Sequence, residues 1–170
     1  MEVEQMGNVA LVRVDQRLIH GQVVTNWIKR TNANKIVILD NEISADPFMK
    51  KVFMMAGPPG VKLDIYNVEE GAAEFQKNQF GDGTIMVIFR NIPAAFKSFT
   101  AGYKFPNLQV GSAGGAPGRQ NVHGPITLND EEAGMLNEIA KEGTKINFHA
   151  TPDTGEGFWE DIKKKFYPSL

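Results

Sequence analysis

The sequence predicts an α/β fold: a single open, mostly parallel sheet with helices on both faces. Three observations predict it. Short runs rich in Val, Ile and Phe alternate with helix-length amphipathic segments almost throughout, the pattern that strands joined by crossover helices produce. Runs such as Lys35-Ile36-Val37-Ile38-Leu39-Asp40 are apolar without alternation, as expected of strands covered on both sides. No internal repeat, low-complexity tract or linker divides the 170 residues. One domain over 1–170 is therefore expected, with 1–7 as a flexible N-terminal extension.

Taken in order, Val9-Ala10-Leu11-Val12 opens a buried strand. Val23, Val24, Trp27 and Ile28, apolar at i, i+1, i+4 and i+5, form the core side of the first helix. After the second strand, Asp46-Pro47 reads as N-cap and first helical residue. That helix carries Phe48, Val52, Phe53, Met54 and Met55 as expected core, and Gly57-Pro58-Pro59-Gly60 ends it. A third strand covers 62–66 and a helix 68–76, interrupted by Gly71. Gly81-Asp82-Gly83 turns the chain into Thr84-Ile85-Met86-Val87-Ile88-Phe89, the strongest strand signal present. Asn91-Ile92-Pro93 opens a helix to about residue 101, Leu108-Gln109-Val110 is a fifth strand, and a glycine-rich stretch spans 111–118. Ile126-Thr127-Leu128 is extended, and Asn129-Asp130-Glu131-Glu132 places acids at the start of a helix that runs to Gly143. Lys145-Ile146-Asn147-Phe148-His149 is the last expected strand, and 158–166 a C-terminal helix.

The composition, 42% hydrophobic and 22% charged, is that of an ordinary globular chain able to bury a core. A net charge of −2 gives no overall attraction to nucleic acid or to an anionic membrane, so any anion site must be local. The absence of cysteine removes disulfides, thiolate zinc sites and thiol catalysis together. No stretch approaches the roughly 20 apolar residues of a membrane span. The N-terminus lacks the basic-then-apolar form of a signal peptide, so a cytoplasmic protein is expected.

The chemistry concentrates between the first strand and the first helix, where Arg13, Asp15, Arg17, His20 and Gly21 stand close together. Ligands of α/β proteins usually bind at such a turn, because amides at the helix start point into the crevice. The imidazole of His20, with an ordinary pKa of about 6.5, offers a free lone pair near neutral pH and can attack phosphorus. Arg13 and Arg17 can supply positive charge and fork geometry to phosphoryl oxygens. In an extended chain, residues 13, 15 and 17 share one face, which puts Asp15 between the arginines. There it holds their side chains or fixes the imidazole tautomer. Gly21 permits close backbone approach, and the amides of Gly21, Gln22 and Val23 could face a phosphate at the helix's positive end. With that field no metal or other cofactor is required.

Arg13-Val14-Asp15-Gln16-Arg17-Leu18-Ile19-His20-Gly21-Gln22-Val23 resembles the signature of the B component (IIB) of the mannose/fructose/sorbose family of bacterial phosphoenolpyruvate-dependent sugar phosphotransferase systems. The resemblance extends over most of the chain. It implies an open α/β sheet with the histidine on the first strand-helix loop, and protein-histidine phosphotransferase activity. It further implies that His20 takes a phosphoryl group from a phosphorylated A component (IIA) on a separate chain. The group then passes to a sugar held by the membrane partners IIC and IID. The protein would be cytoplasmic and peripherally associated with that permease; a homodimer stays open. The 111–118 stretch resembles the family's Asn-Val-Gly-Gly region, with Gln109 in place of Asn and Ser112-Ala113 inserted before Gly114-Gly115. Gly114, and Asn91 at another strand end, are thereby further candidates for phosphate binding.

Other residues carry weaker signals. Arg119 and His123 lie near the glycine-rich stretch and could meet a partner or the phosphate, whereas His149 reads as a core or edge histidine. The Lys163-Lys164-Lys165 run reads as a solvated helix face. The competing reading is a regulatory module that binds phosphate or a sugar phosphate without covalent chemistry. A metal hydrolase lacks ligand pairs at helical spacing, and nucleic-acid binding is disfavoured by charge.

Overall fold

The computed structural model describes residues 5–19 and 21–170; residues 1–4 and His20 lie outside the described residues. The elements follow in the order β1 (Asn8–Asp15), α1 (Gln22–Thr31), β2 (Lys35–Leu39), α2 (Asn41–Ala45), α3 (Pro47–Met55), β3 (Lys62–Tyr66), α4 (Val68–Asn78) and β4 (Thr84–Phe89). Then come α5 (Ile92–Thr100), β5 (Asn107–Ser112), β6 (Gln120–His123), β7 (Ile126–Leu128), α6 (Asp130–Lys141), β8 (Lys145–Phe148), β9 (Gly157–Phe158) and α7 (Trp159–Phe166). Most helix starts are marked by an Asp or Asn just ahead of the helix. Asp40, Asp46, Asn67, Asn91 and Asn129 each accept a backbone N–H of the first turn, and Glu132 completes a capping box with Asn129. Among the described residues no side chain caps α1 or α7.

The sheet order is β3-β2-β4-β1-β5-β8-β9, parallel except for the β8/β9 pair; β6 and β7 form a separate antiparallel hairpin. Val24, Trp27, Ile43 and Phe53 pack on one face of the sheet, against Ile36, Ile38, Leu63, Ile65, Met86 and Ile88. Helices α4, α5, α6 and α7 cover the other face, burying Val12, Val14, Val87, Phe89, Leu108, Val110 and Phe148. The α/β expectation therefore holds, with helices on both faces. From β1 the chain crosses toward β2, whereas from β5 it proceeds to β8 on the opposite side. The carboxyl ends of these neighbouring strands thus border the crevice where open α/β sheets bind ligands.

The structure departs from expectation in several places. Phe48, Val52, Met54 and Met55, expected in the core, are exposed; α3 rests on the sheet through Phe53, its single buried residue. Their spacing suits a helix but says nothing about which side faces the sheet. The first strand stops at Asp15, short of the extended run to Arg17, α2 forms where no helix was expected, and β6 and β9 arise where no strand was expected, through pairing with β7 and β8. Gly7 is buried with its N–H on the Asn78 carbonyl at 2.9 Å, so it is tied down and not part of a loose extension.

Candidate active site at the end of strand β1

Arg13 lies in the sheet opposite Gln109 of β5, and the register then slips, pairing Val14 with Val110 but Asp15 with Ser112. Gly111 is the extra residue of this bulge. A Cβ on it would lie inside the Arg13 guanidinium, so only glycine lets that group lie flat on the β5 backbone. Arg13 is 2% exposed, and its five donors are all engaged. Nε and Nη2 reach Asp15 at 3.3 and 3.1 Å, Nη1 meets Gln109 Oε1 and the His149 carbonyl, and Nη2 also meets the Ala150 carbonyl. The guanidinium stands 5.0 Å from the Trp27 ring centroid. Burial lowers its pKa to about 10 while Asp15 holds it up, which leaves it charged at neutral pH. The expectation that Arg13 offers donors directly to a phosphoryl group is thereby corrected: it is a buried brace for Asp15.

Asp15, 3% exposed, takes the Arg17 N–H and Nε on Oδ1 at 3.0 and 3.3 Å. Its Oδ2 holds Arg13. It therefore sits between the two arginines: Arg13 meets it by strand alternation, Arg17 by a different route. The strand stops at Asp15, and Leu18 N–H closes a turn onto the Asp15 carbonyl at 3.0 Å. Leu18 adopts φ of 53°, a left-handed conformation that a buried leucine keeps only because its surroundings demand it. Arg17 rides on this turn with its side chain 45% exposed, so its guanidinium is anchored at the base and accessible at the tip.

His20 follows two residues after the turn. Gly21 then starts α1 with φ of 84° and ψ of −179°, a conformation closed to residues with a Cβ. It is exposed, and a Cβ there would meet nothing within 4 Å, so backbone angle rather than crowding calls for glycine. Gln22 and Val23 form the first turn of α1, which contains no acidic residue. The positive end of the helix thus follows the Arg17 turn with no acidic side chain in its first turn to neutralise it.

Of the remaining candidates, the structure brings Gly114 to this place, while Asn91 stands just past the end of β4, the other neighbour of β1, with its side chain already engaged. A Cβ on Gly114 would stand 3.7 Å from Gln16 Oε1 and from Arg119. The glycine-rich stretch therefore borders the Arg17 turn. Asn91 uses its Oδ1 to accept the Ala94 N–H at 2.9 Å, which makes it the cap of α5. Arg119 is a clamp: it donates to the Ala113 carbonyl at 2.8 Å, to the Thr127 hydroxyl and carbonyl, and to Glu132. Thr127 in turn donates to the Gly114 carbonyl. His123 Nε2 lies 2.8 Å from the Gly155 carbonyl. His149 is buried, edge-on to Trp27, with Nε2 on the Thr154 carbonyl at 2.9 Å. Reading the residues alone missed Gln109, Trp27 and Glu132. A glutamine inside Leu108-Gln109-Val110 was the available signal, since a polar side chain in a buried strand must find a partner. Among the described residues no three His, Asp or Glu side chains gather into a metal cage. A groove of about 870 Å³ lies elsewhere, along Leu11, Asn107, Lys145 and Phe158.

The family described as "PTS system sorbose subfamily IIB component" matches residues 9–167. The chain belongs to this family. It is 29% identical over 139 residues to the sorbose-specific EIIB component of Klebsiella pneumoniae, covering 82% of this IIB chain and 85% of that one. The crystal structure of the IIBSor domain of the sorbose permease from Klebsiella pneumoniae superposes with a TM-score of 0.83 at 26% identity, covering 94% of this chain and 98% of that one. A mannose-specific EIIAB component of Escherichia coli K12 is 25% identical over 138 residues, 81% of this chain but 43% of that longer protein. Membership assigns this IIB protein a phosphoryl-transfer role in sugar uptake. Among the described residues no helix is long and apolar enough to cross a membrane.

Proposed function

We propose that this IIB chain carries a phosphoryl group on His20, taken from a phosphorylated IIA protein and given to a sugar bound by the membrane partners IIC and IID. The observation that supports it most is the Arg13–Asp15–Arg17 arrangement at the end of β1. A buried, fully bonded arginine fixes a carboxylate, and the carboxylate fixes a half-exposed arginine on the turn that leads into His20. Phosphoryl transfer needs positioning and positive charge more than covalent help from the protein. An anchored Arg17, together with the open amide end of α1 beyond Gly21, supplies both. An imidazole nitrogen of His20 would form the new P–N bond as the donor's P–N bond breaks, and the donor nitrogen keeps the electron pair. The name EIIAB of the mannose-specific relative, with A and B parts in one protein, favours a IIA protein as donor.

The test is transfer of labelled phosphate from phosphorylated IIA. Wild-type protein should acquire an acid-labile, base-stable label, and His20→Ala should acquire none; equal labelling of His20→Ala refutes the assignment. If wild type takes no label yet binds inorganic phosphate, and His20→Gln binds it equally well, the covalent reading fails in favour of a phosphate-binding module. Arg17→Ala should slow transfer by ten- to hundred-fold with the thermal melt unchanged, as expected for a lost contact to developing charge.

A further inference from the structure

The α3 ridge is built inside out. With about 100° between successive helical residues, Phe48, Lys51 and Met55 point away from Phe53, the one side chain of α3 that is buried. Phe48 is 72% exposed, Met55 78%, and Val52 and Met54 more than 40%. A solvent-facing helix ordinarily reverses this arrangement. Charge is as one-sided as hydropathy. Residues 47–63 contain Lys50, Lys51 and Lys62 and no Asp or Glu, and 16–34 contain Arg17, Lys29 and Arg30 and again no acid, in a chain whose net charge is −2. The carboxylates bordering the segment are engaged: Asp46 caps the start of α3, Asp64 pairs with the buried Lys35 and Glu42 pairs with Arg90.

We propose that this ridge is a contact for an anionic phospholipid surface, with Phe48, Val52, Met54 and Met55 entering the headgroup boundary and Lys50 and Lys51 meeting lipid phosphates. Apolar side chains joined to cations suit an interfacial helix. Three features favour lipid over another protein. Residues 47–63 contain no Ser, Thr, Asn, Gln, Tyr, Trp or Arg, the types that give protein interfaces directional hydrogen bonds and anchors. Lysine is a point charge on a flexible stem, fitted to mobile phosphates more than to a fixed fork. The surface is a protruding helix, not a pocket. A symmetric second copy is disfavoured, because two such ridges laid face to face would bring the Lys50 and Lys51 charges of both copies together with no acid in either 47–63 segment to pair them. A groove of about 430 Å³, lined by Ile19, Gly21, Val24, Ile28, Ala56 and Val61, lies between the end of α3 and the chain that leads into α1. A membrane met by α3 therefore lies on the side of the molecule where the candidate site opens.

The experiment is co-sedimentation of the full chain with vesicles of phosphatidylglycerol and phosphatidylcholine, and with vesicles of phosphatidylcholine alone. Binding is expected to the anionic vesicles only and to weaken with salt. Lys50→Glu and Lys51→Glu should each lower partitioning by at least roughly fivefold. Phe48→Ser with Met55→Ser should lower it further, with unchanged melts because these side chains are exposed. Lys141→Glu, at the end of α6 on the other side of the sheet, should bind like wild type. The proposal is overturned by absence of binding to anionic vesicles, by equal binding of the ridge variants, or by a dimer in sedimentation velocity that the Phe48 and Met55 substitutions dissociate. Binding that appears only when the vesicles contain membrane protein overturns it as well.

Discussion

One carboxylate organises the candidate site. Asp15 gathers two guanidinium groups, and the burial of Arg13 makes that arrangement stiff. Removing one member of a buried ion pair leaves its partner uncompensated, at a cost of about 3–5 kcal/mol. Gly111→Ala reaches the same end indirectly, because a methyl group there displaces the Arg13 guanidinium. A loss of about 3 kcal/mol in urea unfolding is expected for Gly111→Ala, and phosphoryl transfer to the folded fraction should slow, since Asp15 loses its brace. Arg13→Lys should not restore it: a single ammonium has three donors where this position uses five. The Arg-Asp-Arg spacing was legible in the sequence, as was the place of Asp15 between the arginines. That Arg13 lies beneath the site was not, because a basic residue reads alike whether it braces a carboxylate or meets a ligand.

At the scale of elements, the segment 113–119 is held by side chains remote in sequence. Arg119 links the Ala113 carbonyl to Thr127 and Glu132, while Glu132 also completes the cap of α6. The glycines that would otherwise let this segment wander are thereby set beside Gln16. Arg119→Lys keeps the charge opposite Glu132 but cannot span these acceptors together. It should lower stability by about 1–2 kcal/mol and raise the rate of proteolysis between 113 and 118, measured by limited digestion followed by mass spectrometry. Sequence reading located this segment after a strand and recognised the acids at the start of α6. It could not join Arg119 to Glu132, because the link depends on where the β6–β7 hairpin folds back. For α3 the limit was different: Asp46-Pro47 marked its start, but its apolar residues were taken for core when they form the outer surface.

The alternation of strands and helices made the sheet and its two helical layers legible over the whole molecule. Strand order was not, since each crossover obeys the same local rule in whichever direction it proceeds. The layer beneath α4 and α5 contains an aromatic group of Phe75, Phe80, Tyr103 and Phe105 around a phenol that is 1% exposed. The Tyr103 hydroxyl has no hydrogen-bond partner among the described residues, and burial pushes its pKa well above the ordinary 10.0. With the folded value raised, the unfolded chain releases this proton first, so stability present below pH 10 is lost as pH rises beyond it. Tyr103→Phe should be neutral or up to about 1 kcal/mol more stable at pH 7, and its melting temperature should fall less steeply in alkaline buffer than that of wild type. The two margins of the sheet also differ. Gly157–Phe158 runs antiparallel beside β8 and occupies the place where a foreign strand would otherwise attach. A cut or deletion there would bare a backbone ladder able to recruit further molecules, so this two-residue strand serves as a guard against polymerisation.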